Sequence, residues 1–230
     1  MNIAHILEIV LSLVAVFTAI VLHEVSHGYV AYRLGDPTAK ARGRLTLNPL
    51  AHIDPIGTVL VPLVLVVLGS PFLFGWAKPV PINPNYFRNP FRGMLYVAIA
   101  GPITNLALAL GATAVGRLLL LAFPDPLFFL RGTFTANIMQ AIFFLMGIFV
   151  IFNIVLAVFN MIPIPPLDGS RVLTYFLPSE GRRVMILLER YGFLILIAFI
   201  FLGGLNALFG LMGGIWNGLL GNYWQLIVGI

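Results

Sequence analysis

Between Arg131 and Asp168 the chain runs for 36 residues without one charged side chain. A hydrocarbon core about 30 Å thick takes roughly 20 helical residues, so a run of this length and apolarity reads as a membrane span. The cluster Pro163, Pro165 and Pro166 must end its helix near Met161. Other stretches read the same way: His5 to Arg33, Gly93 to Gly116, and an uncharged tail from Tyr191 to Ile230, while Ile56 to Phe74, which contains Pro62 and ends at Gly69-Ser70-Pro71, reads as a short span or an irregular one. The tail is long enough for two passes, with a break expected at Gly203-Gly204. The expectation is an all-α integral membrane protein with about six transmembrane helices.

Composition separates this from a soluble bundle. Only 9% of the residues are charged, against about 25% in ordinary soluble domains, so most of the exterior must face lipid. A multi-pass protein of the cell membrane is expected, with the lipid bilayer as its first partner. The net charge of +5 is spread between apolar runs and forms no patch, so no nucleic acid partner is expected. With six crossings Arg33, Lys40, Arg42, Arg44 and Arg131 fall on one side, and Lys78, Arg88, Arg92, Arg171, Arg182 and Arg183 on the other. That near balance does not orient the chain. The first apolar stretch is too long and too weakly basic at its start for a cleaved signal peptide.

The connections Leu34 to Pro55 and Pro71 to Arg92 are too short for a soluble domain of about 50 residues, so residues 1–230 are expected to form a single membrane-embedded domain. Lys40 to Leu47 alternates polar and apolar side chains, and Trp76 to Ile82 is stretched by its prolines. Both are expected to be short extended or re-entrant hairpin segments.

An ionisable group at membrane depth is a functional candidate by default. The first helix holds three together, His23-Glu24-Val25-Ser26-His27. Residues i and i+4 share a helix face, so His23 and His27 can direct two nitrogens at one ion. Glu24, about 100° round the helix, cannot be a third ligand but can reach water at the metal as a general base. With four His and four Glu in the chain, chance gives this pattern in about one such sequence in a thousand. There is no cysteine, so any metal rests on His and carboxylate.

Catalytic zinc takes three protein ligands and leaves a fourth position to water. Among the acids, Asp168 stands apart: it follows the uncharged run directly, after prolines that break the helix. Broken backbone at membrane depth is tolerated where it lines a cavity or is buried in protein. The other reading of Asp168 is an N-cap for a short helix from Gly169 to Phe176. The two roles are compatible.

The HExxH in the first helix and the late Asn160-Met161-Ile162-Pro163-Ile164-Pro165-Pro166-Leu167-Asp168-Gly169 resemble the site-2 protease family of intramembrane zinc metalloproteases. Leu47-Asn48-Pro49-Leu50-Ala51-His52-Ile53-Asp54-Pro55-Ile56-Gly57, Gly75-Trp76-Ala77-Lys78-Pro79-Val80-Pro81 and Gly101-Pro102-Ile103-Thr104-Asn105 resemble its short form, without a PDZ or C-terminal regulatory domain. The resemblance implies one Zn2+ per chain on His23, His27 and Asp168, with Glu24 as catalytic base. It implies hydrolysis of peptide bonds in or near transmembrane segments of membrane protein substrates.

Asn105 and Asn160 are expected to hold substrate backbone or the oxyanion, and Asn153 to be interhelical packing. His52 is open between a substrate-side role and a loop hydrogen bond. An unwound substrate needs new backbone partners, which the edges Arg44 to Leu47 and Trp76 to Ile82 could supply by strand addition. The alternatives are a metal-ion transporter, which has no need of the Glu beside the ligands, and a catalytically silent membrane scaffold, which would normally have lost a ligand or the base. Gly210, Gly214 and Gly218 recur every four residues. That smooth stripe is expected to pack within the chain, ahead of a homodimer contact.

Overall fold

The computed structural model describes residues 3–67, 75–123, 128 and 132–228. Helices α1 (Ile3–Arg33), α2 (Thr38–Ala41) and α3 (Val61–Val67) are followed by the long α4 (Pro90–Ala122) and α5 (Phe134–Asn160). Then come α6 (Asp168–Phe176), α7 (Ser179–Glu189), α8 (Gly192–Phe201) and α9 (Gly204–Val228). The long helices begin where side chains satisfy their first free N–H groups. Asn89 accepts from the N–H of Arg92, and Thr133 from that of Ala136. α5 stops at Asn160, where the prolines begin to take effect.

α1, α4 and α5 pack on one another and α9 closes over α4 and α5. Contacts from His23 to Asn105 and from His27 to Val97 run α4 antiparallel to α1. Behind them lies an apolar core of Ala109, Phe143, Val150, Ile154, Leu208, Met212 and Leu220. At the far end Gly221 leaves the helical region at φ 73, which frees the carbonyls of Gly218 and Leu219. Arg117 donates to both, at 2.7 and 3.1 Å, and so satisfies acceptors that lipid could not.

The all-α membrane class is as expected, but the count of about six spans is not reached among the described residues. Three helices are long and apolar enough to cross, α1, α4 and α5, or four if the bent pair α7 and α8 is one span. The expected span from Ile56 is a π-turn, Pro55–Leu60, followed by the 7-residue α3. The remainder of that run, 68–74, lies outside the described residues, as do Asp125 and Arg131. Gly203, at φ 86, turns the chain between α8 and α9 at the expected break. Absence of charge marks a segment as apolar without fixing whether one helix continues through it.

Two further expectations change. No strand forms among the described residues: Arg44 to Leu47 is irregular, and Trp76 to Ile82 is extended without a ladder. Among the described residues nothing packs on the glycine stripe: beyond the helix's own neighbouring backbone, no described atom lies within 4 Å of a Cβ built on Gly210, Gly214 or Gly218.

Candidate active site

His23 and His27 lie one turn apart on α1, and α6 brings Asp168 against them. The Nε2 atoms of His23 and His27 are 3.0 Å apart, and each is 3.2 Å from Asp168 Oδ2. All three side chains are buried. Asp168 is the first residue of α6, with Leu167 in the cap position, so its carboxylate is not used as an N-cap. The chain reaches it through a cis peptide between Pro165 and Pro166.

The other ring nitrogens fix what these atoms can do. His23 Nδ1 donates to Asn105 Oδ1 at 2.5 Å, and His27 Nδ1 to the Val97 carbonyl at 2.6 Å. With the ring proton on Nδ1, each Nε2 presents a lone pair. Asp168 Oδ2 has no hydrogen-bond donor although it is buried. Three acceptor atoms therefore converge without a proton between them, an arrangement that a cation resolves. Ligands on a tetrahedral zinc with bonds of about 2.0–2.1 Å stand about 3.3 Å apart, close to the separations found here. His23, His27 and Asp168 thus fit a zinc ion in number, donor type and spacing.

Gly101 makes room for the imidazoles. A Cβ there would collide with both His23 and His27, so only glycine lets α4 come this close. Glu24 is held from the other side: its Oε2 accepts the N–H of Val80 at 2.9 Å. Gly28 permits that approach, because a Cβ on it would stand 2.8 Å from Val80 and 2.7 Å from Leu45.

His23, Glu24, His27 and Asp168 open on one cavity of about 890 Å³, whose wall includes Trp76, Ala77, Val80, Asn160 and Arg171. One edge of Trp76 to Val80 is tied down. The Trp76 N–H donates to Gly57 O and the Lys78 N–H to His52 O, while Thr58 donates to Trp76 O and Arg44 to Lys78 O. Ala77 makes no backbone hydrogen bond among the described residues and lines the cavity, as Pro79 does.

The structure brings Asn160 to the cavity wall, its Nδ2 donating to Leu156 O. Asn105 and His52 are placed elsewhere. Asn105 lies fully buried behind His23, and its Nδ2 donates to Asn153 Oδ1 at 2.7 Å. His52 lies under the 76–80 segment with Nε2 donating to Thr46 O. Sequence reasoning did not assign roles to Val97, Gly101 or Val80. Their signal was faint: a Gly-Pro pair inside an apolar helix, and one N–H left between Pro79 and Pro81.

The family model of peptidase family M50 matches residues 11–203. YwhC of Bacillus subtilis (strain 168), named as a candidate zinc metalloprotease, is 40% identical over 189 residues, 82% of this chain and 78% of that protein. Rip2 of Mycolicibacterium smegmatis, named in the same way, is 31% identical over 188 residues, 82% of this chain and 65% of that protein. A similarly named protein of Methanocaldococcus jannaschii is 33% identical over 171 residues, 74% of this chain and 72% of its own length. No solved structure matches. A match over most of the chain, on top of a buried His-His-Asp cluster beside a glutamate, places this protein in peptidase family M50.

Proposed function

We propose that this protein is an intramembrane zinc endopeptidase in which His23, His27 and Asp168 hold one Zn2+ per chain and Glu24 is the catalytic base. The observation that carries the reading is the convergence of three unprotonated ligand atoms, 3.0–3.2 Å apart, on a cavity that Glu24 also lines. A transporter site would not need that glutamate, and a silent scaffold would not need the whole set. Zinc bound here supplies a Lewis acid that polarises a peptide carbonyl and acidifies water.

This chain's own residues do the rest. Val80 holds Glu24 Oε2, which leaves Oε1 as the oxygen that takes a proton from water and returns it to the leaving amine. Asn105 and Val97 keep both imidazoles in the tautomer that presents Nε2. Substrates are membrane proteins. A locally unwound segment lies against the free edge of Ala77 and Pro79, which replaces the backbone hydrogen bonds it gives up. Asn160, on the cavity wall, is the side chain placed to hold substrate backbone, and the cavity opens within the cell membrane.

From the 1.5 Å rise per residue, the ligands on α1 lie about 9–15 Å below Arg33. On this reading the chemistry lies inside the bilayer, nearer one surface. The test is cleavage of a transmembrane substrate in proteoliposomes, with zinc content measured on the same samples. Wild type should cleave and carry one zinc, and Asp168→Ala should lose both. An Asp168→Ala protein that keeps its zinc and cleaves would refute the assignment.

A further inference from the structure

We propose that the end of the bundle nearest the active site is a docking surface for anionic phospholipid headgroups, centred on α7. The helix contacts first establish which groups share that end. Arg33 closes α1. α4 begins beside it, because α4 runs antiparallel to α1. The loops between them return to the same end, where Arg44 binds Lys78 O and the Asn83 N–H binds the Asp36 carboxylate. Asp168 ties α6 to α1, and Arg182 of α7 stacks 4.3 Å over Phe91 at the start of α4.

Arg33, Lys40, Arg42, Arg44, Lys78, Arg88, Arg92, Arg171, Arg182, Arg183 and Arg190 therefore gather at one end, eleven of the thirteen Lys and Arg. The other two are Arg117, near the opposite end of α4, and Arg131, in the α4–α5 connection. The near balance expected from six crossings fails because the 55–86 segment leaves this end and returns to it.

No Lys or Arg among the described residues pairs with a carboxylate; every ion pair found involves histidine. Eight of the eleven cations are exposed, and the exposed acids at this end are Glu180 and Glu189. The surface thus carries an excess of positive charge, and none of its cations is ion-paired to a carboxylate among the described residues. Its cations rest on aromatic rings instead: Arg33 on Tyr29, Lys40 on Tyr32 and Arg92 on Tyr96. Tyrosine beside Arg or Lys marks the headgroup level of a membrane.

α7 has the form of an interfacial helix. Val184 and Leu187 are exposed beside Arg183, and α7 meets α8 at a 77° bend. An α7 lying along the surface puts those apolar side chains into the acyl boundary and the guanidinium groups among phosphates.

The experiment is electron spin resonance of spin-labelled phosphatidylglycerol and phosphatidylcholine in vesicles containing the full chain. The protein-restricted fraction should favour the anionic lipid by about threefold or more, and 0.5 M salt should reduce the ratio toward one. Arg42→Gln, Arg88→Gln, Arg183→Gln and Arg190→Gln combined should remove the preference, and Arg131→Gln should keep it. Equal restriction of the two lipids in wild type would overturn the proposal. So would a preference that persists in the fourfold variant. No substrate enters the assay, so its outcome is separate from that of the proteolysis test.

Discussion

His23 and His27 present Nε2 to the same point only because Asn105 and Val97 each accept the proton on the other ring nitrogen. Asn105→Leu should therefore lower zinc affinity by about 10–100-fold with the fold retained, read by competition with a fluorescent chelator; unchanged affinity would show that the amide does not set the tautomer. Glu24→Gln should keep the zinc and lose about 10²-fold or more in cleavage rate, because the amide keeps the shape and cannot take a proton. Wild-type turnover in that variant would remove Glu24 from the chemistry. Much of this centre was legible in the sequence. His23, Glu24 and His27 are a local spacing on one helix, and the prolines before Asp168 marked where a carboxylate could enter at depth. Asn105 was readable as a polar residue of interest but its partner was not. Whether it faces substrate or the back of His23 depends on how α4 turns against α1, and no local pattern encodes that rotation.

At the scale of elements, approach distance decides the site. α4 reaches the imidazoles through Gly101, and the 76–82 segment reaches Glu24 across Gly28. Gly101→Val should push α4 off α1 and lose zinc and activity together, whereas Gly111→Val on the same helix, where a Cβ meets nothing, should change zinc content little. Equal zinc loading of the two variants, measured by mass spectrometry, would contradict the packing account. The extended character of 76–82 was legible from Pro79 and Pro81. Its tie to Glu24 was not, because the Val80 N–H bonds to a residue 56 positions away. The 56–74 run was legible as short or irregular from Pro62, and its described part is a π-turn at Pro55–Leu60 and the short α3; hydropathy shows only that such a segment prefers lipid, not the turn it makes.

For the molecule as a whole, the proposed gathering of cations at one end and the positive-inside rule together predict that this end faces the cytoplasm. The chain has no cysteine, so single-cysteine variants report side directly. On intact cells a membrane-impermeant maleimide should label Thr135→Cys and spare Arg42→Cys; the reverse pattern would invert the orientation. The most direct measurement of the central claim is zinc-edge X-ray absorption of the purified Glu24→Gln protein. The account predicts one zinc per chain, four-coordinate, with two imidazoles and oxygen ligands at about 2.0–2.1 Å. A six-coordinate oxygen shell, or a shell with fewer than two imidazoles, would contradict it.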